Sequence, residues 1–294
     1  MKSWNASSHS LPAHIPLEGR GTAMTLDATQ VEFFETFGFL HLPGLMADEI
    51  DRITAAFESV WENSGRQRTP GERACLVPFV DRDAYLSALL DDPRINTIPS
   101  QLLGSDFNYC SSDGNLYTGD TAYHSNPFSG GLSALKVAFY LDPVDADSGC
   151  LRVFPGSHRF DDSYSKLLSS NISSSVETWG VGQSDLPAIS IPSRPGDVVV
   201  FTHGIKHGSF GGGEGRRLFV MNFTERCPQE LLPALRDHVG AMARFWNDNY
   251  YGDAMLATAN AERMVHLQQI LDNQDHLPAL VAQRRTEMDG PAQG

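Results

Sequence analysis

Pro195-Gly196-Asp197-Val198-Val199-Val200-Phe201, followed by His203 and then His207-Gly208-Ser209, is the stretch on which the fold turns. A Pro-Gly-Asp turn opens onto β-branched and aromatic residues, the composition of a strand between turns. Gly204 and Gly208, beside the histidines, allow close backbone approach. A second histidine segment stands upstream, Thr121-Ala122-Tyr123-His124-Ser125-Asn126, and Arg216 and Arg217 follow a short glycine loop downstream. At a strand end, residues i and i+2 share a face, so His124 and Asn126 can reach one ion. Two imidazoles and an oxygen can hold iron on one face and leave its other positions open. A nearby arginine can grip a carboxylate through a two-pronged contact. Bringing these segments together requires a closed or doubly layered sheet.

The surrounding chain supports that architecture. Short apolar runs alternate with Gly, Pro, Asp and Ser clusters from about Asp106. Strands are expected at 135–141, 151–154, 188–191, 197–201 and 218–223, the pattern of a sandwich or barrel. Before them, Asp27 and Gln30 form a capping box for a helix carrying Phe33, Phe34 and Phe37 as a core stripe, with Gly38 as its stop. Phe39 to Leu42 reads as a short strand and about 48–61 as a second helix. Residues 161–186, rich in Ser and Asp, read as one long loop of the kind that forms lids. Helical spacing returns after Pro228, at Leu231, Leu235, Val239 and Met242 and again at Met264, Leu267 and Leu271. The aromatic run 245–251 is expected to pack. One domain, 1–294, accounts for this: a loose arm (1–25), a helix-and-strand support (27–104), a β core (105–226) and a helical carboxyl-terminal region (227–294).

Composition narrows the function classes. The 294 residues carry a net charge of −14, which argues against a nucleic-acid or anionic-membrane surface. No stretch has the length and apolarity of a membrane span. Cys75, Cys110, Cys150 and Cys227 are scattered and form no Cys-x-x-Cys pair. Reduced thiols in a cytoplasmic protein are expected.

At this point the sequence resembles the phytanoyl-CoA dioxygenase (PhyH) family of iron(II)/2-oxoglutarate oxygenases. The segment 148–158, Ser-Gly-Cys-Leu-Arg-Val-Phe-Pro-Gly-Ser-His, looks like that family's Gly-x-Leu…Pro-Gly-Ser-His stretch. Pro195-Gly196-Asp197 with its β run and His207-Gly208-Ser209 is similar to the family's second metal segment. Phe34 to Gly44 looks like its opening helix and strand. The resemblance spans roughly residues 27 to 226. It implies a mainly β fold with flanking helices, a double-stranded β-helix (jelly-roll, cupin-like barrel). It also implies His124 and His207 as iron ligands, Arg216 as the anchor of the far carboxylate of 2-oxoglutarate, Ser209 as its helper, and Asn115 beside the co-substrate. Arg216 is preferred to Arg217 by counting back from Asn222.

One position departs from the family pattern. His-x-Asp is replaced by His124-x-Asn126, so the third ligand carries no charge. Three readings of Asn126 stand open: a competent amide ligand, an inactivating change, or a site left to another anion, as in halogenases. Asp113 and Asp120 are alternative ligands, and His203 is a rival imidazole. The expected activity is Fe(II)/2-oxoglutarate-dependent oxidation of a small molecule by O₂, hydroxylation by default, with succinate and CO₂ released. A cupin-type metal enzyme that does not use 2-oxoglutarate, and a binding module that lost its metal, are the alternatives. His158 reads as structural, while Lys136 and Arg152 could face either way.

Overall fold

The computed structural model describes residues 25–66, 68–69 and 71–292. The expected amino-terminal arm, apart from residue 25, lies outside them. Among the described residues ten strands follow in order: β1 (Phe39–Leu42), β2 (Ala74–Leu76), β3 (Asn108–Tyr117), β4 (Thr121–His124), β5 (Ala134–Tyr140), β6 (Leu151–Val153), β7 (Ile189–Ile191), β8 (Val198–Thr202), β9 (His207–Ser209) and β10 (Arg216–Thr224). They form a six-stranded sheet, β1-β8-β5-β10-β3-β2, and a four-stranded sheet, β4-β9-β6-β7. Every pairing is antiparallel. The two sheets are the layers of a jelly roll. More residues lie in helices than in strands, so the β core is more heavily clad than expected.

Alternation along the strands divides the core in two. On β8, Val198 and Val200 pack outward with the helical layer, among Phe57, Val60, Leu235 and Leu267. Val199 and Phe201 face inward toward Cys150, Leu151, Val153 and Ile191. On β10, Phe219, Met221 and Phe223 go to the helices, and Leu218 and Val220 go to the barrel interior. The same parity sends Arg216 and Asn222 inward and Arg217 outward.

The amino-terminal helix Ala28–Phe37 has the expected Asp27/Gln30 capping box and a left-handed Gly38 at its end. Its aromatic stripe is only partly core. Phe34 is buried, but Phe37 is 40% exposed, because it lies against Phe33 at the helix edge rather than beneath it.

The segment expected as one long loop, 161–186, is largely helical instead. Asp162 caps the helix Ser163–Asn171, and a short helix, Ser175–Trp179, follows. Their Leu168 and Ile172 pack with Tyr123, Phe154 and Phe210 on the outer face of the smaller sheet. The segment is cladding for a sheet that would otherwise expose apolar surface, and its Ser-rich composition masks the few residues that dock it.

Asp197 locks the turn before β8. Its carboxylate accepts from the Gly44 and Arg194 amides, both at 2.8 Å, and meets His41 Nε2 at 3.2 Å. Burial alone would raise the Asp197 carboxyl, but these three donors outweigh it and hold it below its ordinary value. The Asp197 contribution is therefore complete above the ordinary carboxylate range and is lost as pH falls through the lowered value. Asp197→Ala is expected to cost about 2–3 kcal/mol, because two amides are left without acceptors. Chemical denaturation of the variant measures this.

Candidate active site

β4 and β9 pair so that His124 lies opposite His207 and Thr121 opposite Ser209, with a register irregularity between the two pairs. Three steps along β4 thus match two along β9. Such a bulge lets Thr121 and His124 address one side despite their odd spacing. The imidazole centroids are 4.3 Å apart.

Both rings are oriented by their own backbone. His124 Nδ1 lies 2.9 Å from the Ala122 carbonyl, and His207 Nδ1 lies 2.9 Å from the Ile205 carbonyl. A carbonyl can only accept, so each Nδ1 carries the hydrogen and each Nε2 keeps a free lone pair. Burial, reinforced by nearby Lys136, holds the His207 ring well below its ordinary value. Burial likewise lowers His124. Neutral rings with free Nε2 lone pairs are the form in which imidazole binds a metal.

Arg216 enters the same barrel from β10. Its two terminal nitrogens donate to the carbonyls of Gly149 (2.5 Å) and Gly119 (2.6 Å). Its Nε, Ser209 Oγ and Thr121 Oγ1 are buried without partners. All three residues line one cleft with His124 and His207. Buried polar groups without partners are rare. Three around one cleft beside two metal-competent imidazoles fit an oxyanion of a metal-chelating acid, so the residues present suit iron and 2-oxoglutarate. Arg217 is elsewhere. It is ion-paired to Asp142 and Glu58 on the outer face.

Two glycines make the cradle for Arg216. A Cβ at Gly149 or Gly212 would stand within 2.0 or 2.1 Å of a guanidinium nitrogen, and Gly149 has φ +89°. Gly149 sits inside the 148–158 motif, so its importance was signalled in the sequence, but its role toward Arg216 was not. Gly149→Ala is expected to displace the guanidinium and weaken 2-oxoglutarate binding roughly tenfold or more. Calorimetry on the metal-loaded protein would read the loss.

The remaining expected residues fall as follows. Asn126 is pinned by its backbone to His203: its N–H donates to the His203 carbonyl at 2.9 Å, and its carbonyl accepts from His203 Nδ1 at 3.1 Å. Its exposed side chain lines a second, larger cavity of about 520 Å³, which it shares with His124. Asn115 opens onto this larger cavity and not onto the Arg216 cleft, and its amide nitrogen donates to Asp113 at 2.6 Å. Asp113 borders both cavities. Asp120 is taken up by the Gly211 amide at 2.7 Å. Among the described residues no three His, Cys, Asp or Glu side chains cluster for a metal.

Lys136 faces inward and borders both cavities, whereas Arg152 is held by the carbonyls of Ser184 and Ala146. His158 packs over Gly38 and donates to the Glu35 carbonyl at 3.1 Å. All four cysteines are free and buried, and no described helix is long and apolar enough to cross a membrane.

The jelly roll thus carries His124 and His207 on two paired strands of one sheet and Arg216 on a strand of the other. Residues 114–218, which contain the histidines and Arg216, match the family model of phytanoyl-CoA dioxygenase (PhyH). That match covers about a third of the chain. A search of the curated proteins found no match.

Among solved structures, the chain is similar to the non-heme alpha-ketoglutarate-dependent carbocyclase SnoK from nogalamycin biosynthesis. That match has 23% identity and a TM-score of 0.56, and covers 70% of this chain and 87% of that one. EctD from S. alaskensis matches at 19% identity and TM-score 0.55, over 68% and 77% of the two chains. HygX from Streptomyces hygroscopicus, solved with nickel and 2-oxoglutarate bound, matches at 17% and 0.55, over 68% and 88%. These likenesses are to the fold.

Proposed function

We propose that this chain is an Fe(II)/2-oxoglutarate-dependent oxygenase that hydroxylates a small molecule. The observation that carries the reading is the single cleft formed by His124, His207, Arg216, Ser209 and Thr121, in which two Nε2 lone pairs and three unpartnered polar atoms converge. His124, His207 and the Asn126 amide would hold the iron. Arg216 Nε and Ser209 Oγ would hold the far carboxylate of the co-substrate. Iron with the 2-oxo acid supplies the oxidant when O₂ reacts, with succinate and CO₂ as products.

The chain's own residues do the rest. The Nδ1–H bonds to Ala122 and Ile205 fix the ring planes, so the metal site needs little reorganisation. Leu151, Phe201, Leu218 and Val220 wall the cleft with apolar surface and exclude water from the carboxylate contact. The larger cavity, bordered by His124 and Asn126, lies where a substrate C–H could be presented to the metal. Its volume is in the range of small-molecule sites. The free buried thiols suit a cytoplasmic setting, which is part of this reading.

Anaerobic titration with Fe(II) and 2-oxoglutarate tests the proposal. A charge-transfer absorption that needs both components, and succinate formation on admitting O₂, are expected. Metal-dependent turnover indifferent to 2-oxoglutarate would favour a cupin-type enzyme, and uptake of neither would favour a binding module.

A further inference from the structure

The larger cavity has an electrostatic character opposite to that of the chain. The sequence holds 36 acidic and 22 basic residues, yet Arg73, Arg244 and Lys136 all line this one cavity. None of the three forms an ion pair among the described residues. Elsewhere Arg94, Arg217 and Arg263 are neutralised by carboxylates. Arg73 and Arg244 are exposed and stand on the solvent side. Arg73 is held over Tyr117, 4.0 Å from the ring centroid, and donates to its hydroxyl at 2.7 Å. Arg244 lies 4.7 Å from the centroid of Phe245. Both guanidiniums are thus braced by aromatic rings rather than by acids.

Lys136 stands deeper, on the inward face of β5. Asp113 is the one carboxylate among the described residues on the cavity wall, and it already accepts from the side-chain amides of Asn115 at 2.6 Å and Asn222 at 3.2 Å. Burial lowers the Lys136 ammonium, and Arg73 adds to the effect against the opposing pull of Asp113. A second, independent feature points to a ligand. His203 Nε2 is buried on the same wall without a partner. Since its Nδ1 donates to the Asn126 carbonyl, Nε2 is an acceptor awaiting a donor.

We propose that the substrate is a small oxyanion, a carboxylate or phosphate, gripped by Arg73, Arg244 and Lys136 and offering an O–H or N–H to His203 Nε2. This inference rests on the oxygenase reading for the word substrate, but the anion selectivity of the cavity does not. An anion entering here relieves the repulsion among three cations and meets a single acid, Asp113, whose carboxylate is already engaged by Asn115 and Asn222, whereas a neutral or cationic molecule leaves the excess positive charge uncompensated.

Full-length protein held anaerobically with Fe(II) and saturating 2-oxoglutarate is titrated by calorimetry with benzoate, phenyl phosphate and the neutral benzamide. At least one anion is expected to bind about tenfold more tightly than benzamide, and the stronger of the two identifies the oxyanion. The variant R73Q/R244Q, altered at two exposed positions outside the Arg216 cleft, is expected to lose most of that preference and to keep its 2-oxoglutarate affinity within about twofold. R244Q alone provides a milder variant with an intermediate loss. Equal binding of benzamide, or a preference untouched in both variants, overturns the proposal. The two readings fail separately. Uptake of 2-oxoglutarate without anion preference refutes the substrate class and leaves the oxygenase standing. Anion preference lost in the variants, in a protein that takes up neither iron nor 2-oxoglutarate, supports the anion cavity and refutes the oxygenase.

Discussion

Arg216→Gln is expected to weaken 2-oxoglutarate binding about a hundredfold, while Arg217→Gln leaves it within about twofold. The two arginines are neighbours in sequence and opposite in environment. Arg216 is buried, and its Nε is unpartnered in the cleft that holds Ser209 and both histidines. Arg217 is spent on Asp142 and Glu58. A buried guanidinium meeting a carboxylate away from water contributes far more than an exposed pair. Arg216 also donates to the Gly149 and Gly119 carbonyls, so its loss has a structural component. Thermal unfolding separates the two effects: a variant that melts near the parent temperature and no longer binds 2-oxoglutarate assigns the arginine to the co-substrate. Unchanged binding in Arg216→Gln would remove the co-substrate from this cleft.

Asn126→Asp is expected to raise Fe(II) affinity roughly tenfold to a hundredfold, and turnover with it. A carboxylate brings the charge that divalent iron favours beside two imidazoles, and the change is nearly isosteric. Nothing in the local structure resists it. The Asn126 side chain is exposed on the cavity wall, and its position is set by backbone bonds to His203 that the substitution leaves intact. Equilibrium dialysis with a competing chelator gives the affinity directly. An unaltered affinity would mean either that the Asn126 amide already ligates as well as a carboxylate or that Asn126 is not a ligand.

The legibility of the site varies residue by residue, and the reasons are physical. Arg216 was preferred to Arg217 by counting back from Asn222 to the position the family resemblance implies, and the two residues, an even number apart on β10, share its inward face. His124 and His207 were legible as segments, since each ends an apolar or turn-bounded run. Their contact was not, because it depends on an irregular β4–β9 register that no local pattern announces.

β3 was missed as a strand for a reason tied to function. Its sequence, Asn108 to Tyr117, is full of Ser, Asp, Gly and Asn, which reads as a turn. Ser111, Asp113 and Asn115 line the larger cavity, Asn108 and Ser112 are buried in hydrogen bonds to Gln269 and to the Phe79 and Val80 amides, and Gly114 is required because the Phe79 ring occupies the place of its side chain, 2.0 Å from where a Cβ would stand. The cladding helices of 163–179 were hidden for a related reason, since only a few apolar residues dock them.

By itself, the sequence determined the chemistry available: two imidazoles, an amide where the resembling family has an acid, a pair of guanidiniums after the glycine loop, and enough alternating apolar residues to layer two sheets. Those properties follow from residue type and short-range periodicity. Only the tertiary structure decided which polar atoms are left unpartnered in one cleft, that Lys136 looks inward while Arg152 is tied to backbone carbonyls, and that three cations gather on one cavity of an acidic protein. Such facts depend on strand register and on side chains distant in sequence competing for the same partners, and neither is encoded in any local stretch of chain.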